Sequence, residues 1–503
     1  MSDTTAAVEG AYDDLLDRAG RISNVSHAKE LLSWDQQVVM PEEGTPARAR
    51  QLSALSAVEH DLLTADELGH LLDELEGTDL DDDQRAVVRE VRREQERAVR
   101  VPTDLVERIS AASSEALTAW REAKEADDFD AFAPHLEELV ELKRRYAAHV
   151  DPDRDPYEVL FEEYEPCLPL DHAEAVLTDL RDAVVPLVDE IRASEADLAT
   201  DAFTGTFAAE RQEALMREAL DLLGYPWERG RLDEAPHPFS TGTTFDARIT
   251  TRYDESEPIG ALLSTVHEFG HATYTLGLLD DAYGTPLGEA RDLSIHESQS
   301  RLWENHVGRS TAFWARFLPE VVEAFPDVGD PSVREAYEAV NAVDPSNLIR
   351  VEADELTYHL HIVLRFEIER DLIRGDLAVE DVPEVWNDKM ESYLGIRPET
   401  DAEGCLQDVH WSHGAFGYFP TYSLGSVIAA QLYDAAEQDI EGLEGLIRDG
   451  EFAPLHEWLT EEIHRHGKRF ETNELVVRAT GEDVAADAFV EYATAKYGEL
   501  YDL

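Results

Sequence analysis

In the stretch Leu262–Leu278, LLSTVHEFGHATYTLGL, two imidazoles stand four residues apart with a carboxylate directly after the first. On an α-helix, positions i and i+4 share one face about a turn apart, so His267 and His271 could bind a single tetrahedral ion. Glu268 is turned about 100° from His267, close enough to take a proton from a water on that ion without being a ligand itself. This is the general-base position of a zinc peptidase. The pattern alone is suggestive only: in a chain with 18 histidines and 109 acidic residues, two helical histidines that pair with surplus carboxylates would read the same way.

Such a site needs a third protein ligand, usually from a following helix packed beside the first. After a loop containing Gly and Pro, the segment DLSIHESQSRLWENHV from Asp292 resumes a helical pattern, and Glu297 lies 26 residues beyond His271. Ser294 and Glu297 also have the Ser-x-x-Glu spacing of a helix capping box, and His296 is a second candidate on a different face. Spacing leaves the choice open.

The elements that must position these residues are mostly helical. Pro258 suits a first helical turn, Leu262, Val266, Phe269 and Leu276 form an apolar stripe, and Gly277 ends it. In HLEELVELKRRYAAHV, Leu136, Leu139, Val140 and Leu142 recur at helical spacing, and similar patterns cover 8–32, 84–100, 170–195, 208–223, 333–343 and 354–373. One region departs from this: HPFSTGTTFDARITTRYD, His237 to Asp254, reads as two short strands, a small antiparallel sheet just ahead of the histidine helix. An edge strand in that place can hold an extended peptide through its backbone. Pro152, Pro156, Pro226 and Pro398 read as turns inside one body, so residues 1–503 are expected to form a single, mainly α domain.

Composition excludes several functions. With 109 acidic against 43 basic residues the formal net charge is −66, spread along the chain, which repels nucleic acid and anionic membranes. Only six of the basic residues are lysine, and the remainder are arginine. Acids in place of long lysine stems hold water and cations and trim apolar surface, as a protein working in molar salt requires; a halophilic setting is expected. Two cysteines, Cys167 and Cys405, allow no disulfide framework and suit a reducing compartment. The acidic N-terminus lacks a signal-peptide pattern, and no window is long and apolar enough to span a bilayer. A cytoplasmic protein is expected.

Five segments then carry a resemblance: VHEFGHATYTLGL, IHESQSRLWEN, DARIT at Asp246–Thr250, IRVEAD at Ile349–Asp354 and GCLQDVHW at Gly404–Trp411. Together they resemble the signature set of the carboxypeptidase Taq family of metallocarboxypeptidases, and LLSWDQQVVMPEEG and HPF at His237–Phe239 extend it. The blocks run in order from Leu31 to about Tyr422. The resemblance implies a helical fold similar to neurolysin-type and angiotensin-converting-enzyme-like peptidases, with a deep groove between two helical halves. It also implies a homodimer, zinc or cobalt as the metal, and Glu297 as the third ligand beside His267 and His271.

The implied activity is release of C-terminal residues from peptides with a free C-terminus, with a metallo-endopeptidase or dipeptidyl carboxypeptidase of the same fold as the alternative. Glu268 would act as base and then acid. In DVHWSHGAFGYFPTYSLG, His410, Tyr418 and Tyr422 are the candidates to meet the oxyanion, since similar peptidases place a histidine and tyrosines there. A terminal carboxylate favours the planar fork of arginine. Arg350 in IRVEAD is the leading clamp and Arg248 in DARIT the second, with Asp246 and Asp354 expected to orient them or a ligand histidine. Gln407, Trp411 and His413 read as supporting or core residues, and His306 and His361 as bland histidines.

Overall fold

The computed structural model describes the backbone of residues 2–503 and the side chains from residue 8 onward. Helices dominate, as the periodicity predicts. In the helix Phe129–Val150, Leu136, Leu139, Val140 and Leu142 are all buried. Start signals work where the sequence supplies them: Asp81 with Gln84 and Ser332 with Glu335 form reciprocal capping boxes at the helices Asp82–Arg100 and Val333–Asn341.

A large hydrophobic core draws on residues from Val101 to Tyr501. A smaller cluster joins the N-terminal helix Ser2–Val38, through Ala11, Leu15, Ala19 and Ile22, to Leu68–Leu75 and Val87–Val91. The N-terminal helix also packs against the sheet described next.

That sheet differs from the expected one. It has three strands, β1 (Gly230–Glu234), β2 (Ser240–Thr243) and β3 (Asp246–Thr251), in the order β1-β3-β2. β2 and β3 form the expected antiparallel pair, whereas β1 pairs parallel to β3, so the sheet is mixed. β1, GRLDE, was not legible because only Leu232 among its five residues is buried, which leaves no apolar alternation. Pro236 and Pro238 interrupt pairing after β1 and carry the chain across to the far edge of β3.

The sheet rests on the histidine helix Pro258–Gly277. Thr265 donates to Thr251 Oγ1 of β3 at 3.1 Å. Glu257 caps this helix by accepting from the backbone of Ile259 and Gly260 at 3.0 and 2.6 Å. Behind it packs the helix Leu293–Arg301, which is held in turn by the helix Pro420–Asp439. Two glycines permit this spacing. A Cβ on Gly270 would lie 2.5 Å from the Gln299 carbonyl oxygen, and one on Gly425 would lie 2.5 Å from Glu297 Cβ.

Candidate metal centre

The two helices bring His267, His271 and Glu297 together, with one ligand-type atom of each within 4.8 Å of the others, and no other such group of three occurs among the described residues. Glu297 Oε2 lies 3.8 Å from His267 Nε2 and 3.5 Å from His271 Nε2. Tetrahedral bonds of about 2.0–2.1 Å set ligand atoms about 3.4 Å apart, so this donor set fits a divalent ion with little adjustment. The capping box does not form: Leu293 opens the helix, and Ser294, already inside it, donates instead to Glu165 at 2.7 Å.

Partners beyond the three residues fix their orientation. His267 Nδ1 donates to Glu304 Oε2 at 2.9 Å, which leaves Nε2 free to face an ion. His271 Nδ1 lies 2.6 Å from His296 Nδ1. Burial and the neighbouring His271 depress the His296 pKa to about 3, so it is neutral and can accept. Arg301 donates to Glu297 Oε1 at 2.7 Å and reaches Glu304 at 3.3 Å. Burial would raise both carboxyls, but Arg301 and His267, with His271 at Glu297 and Arg309 at Glu304, together outweigh it and hold both well below the usual carboxylate range. They stay ionised, as a ligand and its supporting acceptor must.

Glu268 has a different environment. It is 6% exposed, and its Oε2 is buried without a hydrogen-bond partner in the protein. Burial raises its pKa, against the pull of His267 and His271. A buried carboxylate oxygen with no partner requires an outside one.

Of the residues expected to contact substrate, His410, Tyr418, Tyr422 and Arg350 come together. Ring centroids of His410 and Tyr418 are 5.5 Å apart, those of Tyr418 and Tyr422 5.3 Å. His410 Nδ1 is buried and unpartnered, and burial lowers its pKa to about 4. Arg350, 6% exposed, donates to Asp408 Oδ1 through Nε and Nη2 at 3.0 and 2.7 Å and to the Tyr358 hydroxyl at 3.0 Å, and it sits 5.5 Å from the Tyr422 ring. Asp408 also accepts from Arg365 at 2.6 Å, so two arginines share one carboxylate and a positive charge is left over.

Arg248 lies elsewhere. Its partners are Asp246, at 2.6 to 3.1 Å, and the Trp34 ring of the N-terminal helix at 4.2 Å. Asp246 therefore orients an arginine as expected. Asp354 does not: it accepts from the Leu356 and Thr357 backbone and the Thr357 hydroxyl, a capping role at the helix Thr357–Arg374. Gln407 accepts from the Arg350 backbone at 2.9 Å, and Trp411 is core. His306 packs between the rings of Tyr433 and Tyr492, and His361 is fully buried beside Arg365.

Sequence reasoning missed Glu304, Arg301, Tyr358 and Arg365 as parts of the site, whereas Asp408 reads from the sequence, with Gln407, as a support for the site or a helix cap. Glu304 had one local signal, its place in IHESQSRLWEN. It sits in a π-helical segment, Leu302–Gly308, that continues the helix Leu293–Arg301. Such widened turns recur at functional sites, and no periodicity announces them.

A model of the carboxypeptidase Taq (M32) metallopeptidase family matches residues 14–497. The chain is 40% identical over 507 residues to thermostable carboxypeptidase 1 of Thermus thermophilus, covering 98% of this chain and 99% of that one. It is 39% identical over 492 residues to carboxypeptidase 1 of Bacillus subtilis, covering 97% and 98%. The fold matches the crystal structure of an M32 carboxypeptidase from Deinococcus radiodurans with a TM-score of 0.94 at 40% identity, over 98% of this chain and all of that one. With the metal-type donor set and a family match over nearly the whole length, the chain belongs to the carboxypeptidase Taq (M32) metallopeptidase family.

Proposed function

We propose that this protein is a zinc-dependent carboxypeptidase, with cobalt as the alternative ion, that removes single residues from the C-termini of peptides. The observation that carries the reading is the unpartnered, buried carboxylate oxygen of Glu268 beside His267, His271 and Glu297. A structural metal site needs no base next to its ligands.

His267, His271 and Glu297 would hold the ion, which when bound supplies a Lewis acid that polarises the scissile carbonyl and acidifies a water. Glu268 would take a proton from the attacking water and later deliver it to the leaving amine, and its raised pKa suits both halves of the task. Tyr418 and Tyr422 keep their hydroxyl protons, because burial raises both pKa values, and with neutral His410 they are the donors for the developing oxyanion. The charge left over in the Arg350–Asp408–Arg365 cluster would be met by the substrate's terminal carboxylate.

The same proposal includes one catalytic domain over residues 1–503, a homodimer, and a cytoplasmic, high-salt setting. Support for the dimer is the family resemblance, and for the setting the charge of −66 and the two cysteines. The test compares one peptide as free acid and as C-terminal amide. Cleavage of the free acid alone, abolished by chelation and restored by zinc or cobalt, is the expected result. Equal cleavage of the amide would make the protein an endopeptidase, and full activity without metal would overturn the mechanism.

A further inference from the structure

A cavity of about 770 Å³ opens beside the metal centre, between the N-terminal helix, β2 and the loop that precedes the helix Leu293–Arg301. It meets the centre at His296, whose Nδ1 is 2.6 Å from His271. Arg350 approaches the centre from another direction: its partner Tyr358 carries Arg301 over its ring at 4.8 Å, and Arg301 binds Glu297. The cavity and the Arg350 cluster thus reach the centre through different residues, His296 beside His271 for the one and Arg301 beside Glu297 for the other. β2 is an edge strand, and all four of its residues line the cavity, a length of about 13 Å that could pair with roughly four residues of extended chain.

The charges inside do not balance. Lys468 is taken by Glu289 at 2.9 Å, and Arg291 by Glu90 and Asp292. Lys29 pairs with Glu59, and His27, its pKa lowered first by burial, adds no cation at neutral pH. Two lining carboxylates remain. Glu94 reaches Lys468 only at 3.9 Å, and Glu30 has no ion-pair partner among the described residues. Partial desolvation in the cavity, with Glu289 nearby, raises the Glu30 pKa to about 7, the behaviour of a carboxyl short of a counter-charge. Ser23, 6% exposed, also lines the cavity, beside Glu289.

We infer that this cavity is the upstream subsite of the peptidase and that it selects peptides carrying lysine or arginine within about four residues before the scissile bond, with Glu30 and Glu94 as the counter-charges and the β2 edge holding the backbone. The inference rests on the carboxypeptidase reading for its direction along the peptide. Salt weakens exposed pairs, so the preference should be larger at the lowest salt the protein tolerates than in molar salt.

The experiment uses free-acid peptides of one length and one C-terminal residue, with lysine, norleucine or glutamate placed at each of the four upstream positions in turn. kcat/KM is measured with the zinc-loaded enzyme in molar potassium chloride. At one or more positions lysine should exceed norleucine by roughly tenfold and glutamate should fall below both. In the double variant Glu30→Gln with Glu94→Gln the lysine-to-norleucine ratio should fall to near one; being a ratio within one enzyme, it is insensitive to a general loss of activity. Binding of the same peptides to the metal-free protein, followed by fluorescence anisotropy, reads the preference without turnover. Equal kcat/KM for all three series, or a ratio that survives in the double variant, overturns the subsite while leaving the carboxypeptidase reading intact. Cleavage of amides overturns that reading, and the binding ratios then decide the subsite alone.

Discussion

At the scale of single residues, Glu268 and Glu297 show how two buried carboxylates in one site are driven apart. Both lose solvation, but Glu297 has Arg301 at 2.7 Å and stays ionised, while Glu268 has one oxygen without a partner and its pKa rises. Glu268→Gln keeps size and shape and removes only the base, so it should retain stoichiometric zinc and lose about 10²–10⁴-fold in kcat. Metal content by atomic absorption beside kcat checks this, and loss of the zinc would make Glu268 a ligand. Arg350→Ala should lower kcat/KM for a free-acid peptide by roughly 10²-fold, about 3 kcal/mol, without changing metal content. A variant that melts early or loses metal would make Arg350 only the structural partner of Asp408. Glu268 stands in a local motif that can be read from the sequence, whereas Arg350 is singled out only by the resemblance of IRVEAD to the family. Arg365, Tyr358 and Asp408 were less legible, since what matters is that two arginines converge on one carboxylate, and Arg365 lies 43 residues from Asp408 in the chain.

At the scale of elements, the site depends on how closely the histidine helix, the helix Leu293–Arg301 and the helix Pro420–Asp439 approach one another. Their existence could be read from apolar spacing and from Pro and Gly at their ends; their separation could not, because Gly270 and Gly425 look like ordinary helical glycines until the neighbouring backbone is in place. Gly270→Ala forces a Cβ to within 2.5 Å of the Gln299 carbonyl, and backbone on the other side cannot rotate away. The expected cost is about 1–3 kcal/mol or more, seen as a melting temperature lower by several degrees together with weaker zinc binding, since the displaced helix carries Glu297. Gly498→Ala is the control: it sits in the helix Asp487–Tyr501 with nothing within 4 Å of the added Cβ, and it should be neutral or stabilising by up to about 1 kcal/mol. Equal effects of the two changes would show that close helix approach is not what Gly270 provides. The sheet was legible in part for a related reason. β3 alternates from Asp246 to Ile249 and is mostly buried, whereas β1 is a strand only because β3 offers it an edge.

At the scale of the whole molecule, charge decides. Arginines are already engaged widely in ion pairs: Arg397 binds Glu384, Asp388 and Glu391, and Arg92 binds Asp73 and Glu76. These networks place cations where acids are densest, yet 43 basic residues cannot neutralise 109 acidic ones, and about 66 negative charges repel one another over the folded surface. Unfolding spreads those charges apart, so low salt favours the unfolded chain. Added salt shortens the screening length from about 10 Å at 0.1 M to about 3 Å at 1 M, which removes most of the repulsion between surface carboxylates while leaving contact pairs such as Arg301–Glu297 in place. The melting temperature should therefore climb steeply as potassium chloride rises from tenths molar to several molar, and activity should be lost on dilution and recovered on return to salt. Sodium and potassium should act alike if screening is the cause, whereas a strong dependence on the cation at equal ionic strength would point to bound ions. A melting temperature that stays flat across that range would mean that the ion-pair networks, rather than the solvent cations, contain the repulsion, and the high-salt setting inferred from the composition would fall with it.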